Sequence, residues 1–244
     1  MAVEPTKQRL LYSRSKAFLG TARTGMASES AKKIVVVAAI AVLVAAGLGY
    51  WAYQTQKQRE LRGAVTVLLK DANSRMRDAL GIEGAPPTVD RVRFVKILEG
   101  HAATAERNLQ LLQRLNSVWD RALVSAADDY LLTAREILKR QAESHRHRLL
   151  LSESARALRE HMSADDRTGT WVQEAVKRKE HAEKDYRAYR IAVSAYTKLL
   201  GQFPPSQEKI ARYLEPMMLI KDDLLESARR GALEPGAIST PVRT

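Results

Sequence analysis

Five histidines are the residues of this chain best suited to bind a metal or to move a proton, and their spacing argues against both roles. They are His101, His145, His147, His161 and His181. None follows a Glu or Asp by three residues, and no HExxH occurs, so the usual helical metal-binding patterns are missing. His145 and His147 are two positions apart, which places them on different sides of a helix. We interpret all five as solvated surface histidines.

Carboxylates and nucleophiles give no better case for catalysis. Asp128–Asp129 and Asp222–Asp223 are neighbouring helical residues whose side chains diverge, so neither pair forms a ready acid–base dyad. Asp165–Asp166 falls in a predicted turn and suits a helix cap. No GxSxG, Walker, GxGxxG or kinase signature occurs, and the lack of cysteine removes thiolate chemistry. The sequence predicts a protein that is not an enzyme and holds no metal or cofactor.

Two polar features are candidates for binding. The segment 141–148 interrupts an apolar helical pattern, and we predict a docking patch of His145, Arg146, His147 and Arg148 there. A plain solvated face is the alternative, because acidic residues lie nearby. The second feature is a helix face that carries Tyr186, Tyr189 and Tyr196. Such a face fits either a ligand groove or an ordinary core with hydroxyls at its edge.

The elements that position these residues are predicted to be helical. Ala, Leu, Arg, Glu and Lys dominate the 244 residues, whereas Gly (12) and Pro (8) are scarce, a mix typical of long helices. The residues at 34–53 form an uncharged apolar run, IVVVAAIAVLVAAGLGYWAY. At about 1.5 Å per residue, this run spans about 30 Å, the thickness of a hydrocarbon core. Its edges are Lys32 and Lys33 on one side and Tyr50, Trp51 and Tyr53 on the other, as expected at headgroups.

The distribution of charge gives this membrane anchor a direction. The arm 1–33 carries seven basic residues, whereas the twenty residues after Tyr53 carry four. The positive-inside rule then places the N-terminus in the cytoplasm and the C-terminal domain in the periplasm or outside the cell, with the anchor in the inner (plasma) membrane. A cleaved signal peptide and a mitochondrial targeting segment are the alternatives.

The net charge of +12 also bears on partners. The arm 1–33 holds much of the excess, and its apolar stripe beside basic side chains fits the anionic inner leaflet of the membrane; a solvated tail is the alternative. The arm lacks the size and aromatic interleaving of a nucleic-acid-binding domain, so nucleic acid is not expected as a partner. Within the anchor, Ala41, Ala45 and Gly49 share one face, which fits a homodimer through close helix packing; the alternative is that Ala and Gly are simply common in this segment.

Beyond the anchor, apolar residues recur at helical spacing. We predict a helical stalk over 54–80, ended by the Gly- and Pro-rich segment 81–87, and a domain over 88–230. Its first helix covers 89–99 with Thr88 or Asp90 as a cap and is interrupted at Gly100. A second, long helix runs to Met162 across the polar Asn116.

The remaining predicted elements complete the fold. Another helix covers 171–202 and ends at Pro204–Pro205, and the last helix starts near Ser206 and is kinked or restarted at Pro216. Residues 231–244 are predicted to be a flexible tail. The fold class is all-α: a transmembrane helix that continues into a stalk, followed by an antiparallel helical bundle or coiled coil.

These features favour a single-pass membrane protein that acts as a scaffold or accessory subunit. Its partners would be other membrane or envelope proteins, which it would meet through a helical docking domain outside the cytoplasm. A ligand-binding or sensory module that signals through a partner is an alternative, although the arm 1–33 is too short for an output domain. A second alternative inverts the topology, so that a cytoplasmic domain meets anionic partners.

Overall fold

A computed structural model describes residues 27–83, 91–164 and 169–233. Several predictions therefore concern residues outside the described ranges. These are most of the N-terminal arm, the caps Thr88 and Asp90, the pair Asp165–Asp166, and residues 234–244 of the predicted tail. The described part contains five α-helices and two short 3₁₀ helices, with no strand. This confirms the all-helical fold class. Contacts divide the chain into an N-terminal unit, residues 1–52, and a C-terminal unit, residues 53–244.

The described part of the N-terminal unit is helical throughout. It belongs to α1, which begins at Ala27 and ends at Glu83. Every side chain from Lys33 to Ala52 is exposed. Within the described residues, α1 is the one helix long and apolar enough to cross a membrane, by its length and composition.

In the C-terminal unit, the segment predicted as a stalk is part of the core. Six apolar side chains of α1, spaced three or four residues apart, are buried: Leu61, Val65, Leu69, Ala72, Met76 and Leu80. This spacing places them on one helix face, and the face is covered by α2, α3 and the later helices. Residues 61–83 therefore form the first helix of the packed domain and do not raise that domain on a free stalk.

The long helix predicted across Asn116 is in fact two helices. Helix α2 covers Arg91–Gln113 and passes through Gly100 without a break, and α3 covers Arg121–Met162. Between them, the Asn116 side chain accepts a hydrogen bond from the Val118 N–H at 3.1 Å, and Asp120 accepts one from the Leu123 N–H at 3.1 Å. These side chains cap the helix starts that follow them, which explains why the chain turns here despite its periodic pattern.

The prolines near position 204 do not end a helix, which contradicts the prediction. Helix α4 covers Trp171–Ile210 and contains both Pro204 and Pro205. Each proline removes one backbone donor and crowds the preceding turn. Phe203 and Ile210, on the two sides of the pair, are both fully buried, and we attribute the continuity of the helix to their packing in the core.

The last helix predicted from Ser206 is not a separate element, because residues 206–210 belong to α4; a new helix does begin after Pro216, as predicted. A 3₁₀ helix covers Pro216–Met218, and α5 covers Asp222–Leu233. Helix α5 extends three residues into the segment predicted as a tail, and Ala232 is buried.

Contacts between helices give their relative directions. Glu106 meets Arg135 and Glu99 meets Arg146, so α2 and α3 run antiparallel. The pairs Asp129–Lys209 and His161–Trp171 show the same for α3 and α4. Helix α1 runs parallel to α3, as the pairs Arg62–Asp120, Asn73–Tyr130 and Glu83–His145 show.

Helices α3 and α4 change their surroundings where α1 and α2 no longer accompany them. Up to His145, α3 packs against both of these helices. Past it, Leu151 and Ser154 are the only buried residues of α3, and none of the residues 171–188 of α4 is buried. We call residues 146–162 and 171–188 the α3–α4 arm.

Candidate functional site

The predicted docking patch lies at the base of the α3–α4 arm, and its four residues do not share one surface. His145 is buried, with 6% of the residue exposed, whereas Arg146 is exposed and forms an ion pair with Glu99 of α2. His147 and Arg148 are half-buried. The interpretation of His145 as a solvated histidine is therefore wrong, and the patch divides into an inner and an outer part.

The inner part belongs to a buried polar cluster, which we define as Glu83, Gln141 and His145. The Gln141 amide donates to Glu83 Oε2 at 2.7 Å and to the Ala79 carbonyl at 2.8 Å. His145 Nε2 lies 3.1 Å from the same Glu83 oxygen. The side chains of His145 and Glu83 are 8% and 3% exposed. One carboxylate oxygen of α1 thus ties α1 to α3 at two points.

Aromatic rings and close backbone packing surround the polar cluster. Phe94 of α2 contacts the His145 ring edge-to-face, with centroids 4.7 Å apart. Burial raises the pKa of Tyr189 and of Tyr196 on α4, and the negative charge of Glu83 contributes in the same direction. Gly231 of α5 approaches so closely that an added Cβ would lie 3.0 Å from the Glu83 carbonyl oxygen. All five helices therefore meet around the end of α1.

The surroundings of the polar cluster favour a structural role over a catalytic one. A carboxylate beside an imidazole can exchange a proton, but both side chains here are shielded from solvent. Among the described residues, no three His, Cys, Asp or Glu side chains lie close enough to hold a metal ion. A buried carboxylate without partners would cost several kcal/mol. The two bonds to Glu83 offset that cost only when the helices are in this register, so the cluster specifies how they pack.

Glu83 is the residue of this site that sequence reasoning missed. It lies seven residues after Met76, four after Ala79 and three after Leu80, all of which are buried. A carboxylate on the same helix face as these apolar residues is a signal that the sequence carried. Its partners are 58 and 62 residues away along the chain, and no local pattern identifies them.

The other described histidines occupy separate environments. His101 Nδ1 lies 3.4 Å from the Arg75 guanidinium; burial, and then this charge, lower the pKa of His101. His161 stacks on Trp171, and the Trp171 ring N–H donates to the His161 carbonyl at 3.1 Å. His181, 67% exposed, lies beside Asp185 on α4. The structure brings none of them to the polar cluster.

The tyrosine face of α4 divides between surface and core. Tyr186 is 48% exposed, whereas Tyr189 and Tyr196 are 5% and 0% exposed. The Tyr196 hydroxyl is buried without a hydrogen-bond partner among the described residues. Two of the three tyrosines therefore occupy the core, as the simpler of the two sequence interpretations predicts.

In the N-terminal unit, the residues predicted at the edges and on the dimer face of the anchor are all on the helix. Tyr50 and Trp51 are 64% and 66% exposed, and Tyr53, the first residue of the C-terminal unit, is 50% exposed. Lys33 and the small-residue face of Ala41, Ala45 and Gly49 are exposed as well; Lys32 lies within α1. Nothing within the described chain covers that face.

No protein-family model, no curated protein and no solved structure matches this chain. Any functional conclusion therefore depends on the features described above.

Proposed function

We propose that this chain is a single-pass membrane protein, not an enzyme, that serves as a structural or accessory subunit of a membrane-associated protein complex. One observation carries the proposal: the helix from Ile34 to Tyr53 is uncharged, and all of its side chains are exposed. In water, each exposed apolar side chain of this helix would cost about 25 cal/mol per Å² of its area. A lipid bilayer removes that cost without any partner protein, and the length of the run suits it.

The charge distribution supports an orientation for this anchor. Seven Lys and Arg residues precede Ile34 and four lie in the twenty residues after Tyr53. We propose a cytoplasmic N-terminus in the inner (plasma) membrane, with the C-terminal unit on the periplasmic or outer side. The cations of the arm 1–33 would meet the anionic inner leaflet, each contributing about 1 kcal/mol.

The C-terminal unit, in this proposal, is a helical bundle that presents the docking surface. The α3–α4 arm is the best candidate for that surface, because Leu151 and Ser154 are its only buried residues. Val172 and Val176 are 63% and 50% exposed there, one helical turn apart. Arg146 at the base of the arm remains a candidate contact, whereas the buried His145 supports the fold.

The proposal also includes a second copy of the chain as a partner within the membrane. Ala41, Ala45 and Gly49 are spaced four residues apart, which lets two helices approach closely. Outside the membrane, the arm would then be presented twice by one complex.

Site-specific photocrosslinking in intact membranes tests the docking role. A photoreactive amino acid at Val172 or Val176 should capture a protein other than this chain, which mass spectrometry would identify. The matched control is Val67 of α1, which is 65% exposed and lies on the opposite side of its helix from the buried core. We expect capture at the arm and little or none at Val67.

Two outcomes would contradict the proposal. Capture of the chain alone at both arm positions would exclude a subunit of a hetero-complex. Equal capture of the same proteins at Val172 and Val67 would show that the arm is not the docking surface.

A further inference from the structure

The turn between α2 and α3 packs on α1 immediately after the proposed anchor. The Trp119 and Tyr53 rings meet edge-to-face, with centroids 5.8 Å apart. The Gln58 amide donates to the Trp119 carbonyl at 3.1 Å, and Arg62 forms a 3.1 Å ion pair with Asp120. Three contacts in a row thus hold the turn against α1 over residues 53–62.

The position of these contacts along α1 sets the height of the turn above the membrane core. Tyr53 is the last residue of the apolar run, and Gln58 follows five residues later. At about 1.5 Å per residue, Gln58 lies about 7.5 Å beyond Tyr53 along the helix axis. The headgroup layer on each side of the hydrocarbon core is about 5–8 Å thick. The Trp119 ring, in contact with Tyr53, is therefore at the level of the headgroups whenever residues 34–53 span a bilayer.

The side chains of this turn suit that layer. Val118 is 65% exposed, and Trp119 is half-buried, with an apolar body and one ring N–H. Indole rings of this kind concentrate at membrane interfaces. Val118 is therefore an exposed apolar side chain beside an interfacial type of ring.

The charged side chains around the turn also suit a contact with anionic lipid headgroups, because the exposed charges are mostly positive. The two acidic residues, Glu60 and Asp120, are each paired with a cation, Lys57 and Arg62 respectively. Arg59, Arg114 and Arg121 are exposed and have no ion pair with any described residue. These guanidinium groups can bind lipid phosphates.

We infer that the α2–α3 turn is a second membrane contact, in which Val118 and Trp119 enter the headgroup layer of the outer leaflet and the neighbouring arginines bind lipid phosphates. This inference rests on the proposed anchor. The occupant is lipid because the covalent chain places the turn beside the end of the span, where lipid is present in every copy. The contact would hold the C-terminal unit against the membrane surface at two points, the anchor and the turn.

The chain contains no cysteine, which allows a direct test in the full-length protein. Three single-cysteine variants, Val118→Cys, Val172→Cys and Leu48→Cys, are labelled with a polarity-sensitive fluorophore. They are reconstituted into liposomes of phosphatidylcholine and phosphatidylglycerol with or without nitroxide-labelled lipids. Val118 and Val172 are matched in residue type and exposure, at 65% and 63%, and Leu48 reports on the anchor itself.

We expect lipid with a nitroxide near the headgroup to remove most of the emission at position 118 and little at position 172. Lipid with a nitroxide deep in the acyl chains should quench position 48. Equal quenching at 118 and 172, with 48 quenched, would overturn the second contact and leave the anchor intact. Absence of quenching at 48 would overturn the anchor, and the inference with it. Circular dichroism of each labelled variant confirms that the helices have formed.

Discussion

Helices α3 and α4 pass through two different regions of the C-terminal unit. One region buries their side chains and stabilises the fold, and the other leaves most of them exposed at the surface. In the packed base, which we define as residues 61–83, 91–145 and 189–232, these helices contact α1, α2 and α5 and bury large side chains such as Tyr130, Tyr196 and Phe203. In the α3–α4 arm they pack mainly on each other, and Arg146 at its base still pairs with Glu99 of α2. Val172 and Val176 there remain exposed, although valine is common in protein cores.

Polar groups follow the same division. In the base, Glu83 and His145 are buried and held by specific partners. In the arm, ion pairs such as Arg156–Glu160 are within one helix and about 70% exposed on both sides. Buried pairs constrain how helices pack, whereas exposed pairs contribute little. We therefore expect the base to determine how the helices pack, and exposed positions of the arm such as Val172 to change with little loss of stability.

The largest expected difference between the base and the arm is in how much the loss of an apolar side chain lowers the free energy of unfolding. Leu69 is fully buried, and we expect Leu69→Ala to lower the free energy of unfolding by about 2–5 kcal/mol, because it leaves a cavity. Val172→Ala in the arm should change it by less than about 0.5 kcal/mol. Urea unfolding of the full chain in detergent micelles, followed by far-UV circular dichroism, measures both. Equal losses would show that the arm is as well packed as the base.

The second prediction concerns the buried polar cluster. Glu83→Ala leaves the His145 ring and the Gln141 amide without their shared acceptor, and we expect it to cost about 3 kcal/mol. Glu160→Ala, which breaks an exposed pair in the arm, should cost about 0.3 kcal/mol. The same unfolding assay compares the two variants. A Glu83→Ala variant as stable as the parent would show that the polar cluster does not determine how the helices pack.

The third prediction concerns alkaline pH. Burial raises the pKa of Tyr130 and of Tyr196, so both hydroxyls stay protonated in the folded base while they ionise near pH 10 in the unfolded chain. Their contribution to stability is complete below pH 10 and is lost as the pH rises above it. Each tyrosine should remove about 1.4 kcal/mol per pH unit above 10.

Unfolding experiments at pH 9, 10 and 11 measure this loss. The Tyr130→Phe variant is the control, and its stability should fall less steeply because one titrating group is missing. An identical slope for the parent and the variant would contradict the prediction.

The smallest expected effect is a difference in stability between Phe variants of two buried tyrosines of the base. The Tyr130 hydroxyl donates to Asn73 Oδ1 at 3.1 Å, whereas the Tyr196 hydroxyl has no partner among the described residues. Tyr130→Phe should cost about 1 kcal/mol at neutral pH, since it leaves the buried Asn73 oxygen unpaired. Tyr196→Phe should be neutral or slightly stabilising. The reverse order, measured by the same unfolding assay, would show that Tyr196 has a partner in the folded protein.

Features with a local cause could be predicted from the sequence. The apolar helix of Ile34 to Tyr53 is visible because twenty consecutive residues carry the signal. The break near Pro216 is visible because proline acts on its own turn. The continuation of α4 through Pro204–Pro205 was not predicted, since buried side chains on both sides of the pair decide it.

Features that depend on distant partners could not be predicted. Residues 141–148 were interpreted as a surface because their apolar pattern lapses, yet His145 faces a carboxylate 62 residues away. Asn116 alone is predicted as a polar interruption within one helix, and the capping bonds of Asn116 and Asp120 instead divide that helix in two. In each case a hydrogen bond outweighed the hydrophobic periodicity.

The central claim is that one helix anchors this chain in the membrane with the C-terminal unit outside the cytoplasm. Fusion of alkaline phosphatase or of a cytoplasm-dependent reporter after Thr244, in parallel strains of a bacterial host, tests it most directly. We predict an active phosphatase and an inactive cytoplasmic reporter, with both fusions in the membrane fraction. An inactive phosphatase together with an active cytoplasmic reporter would contradict the claim.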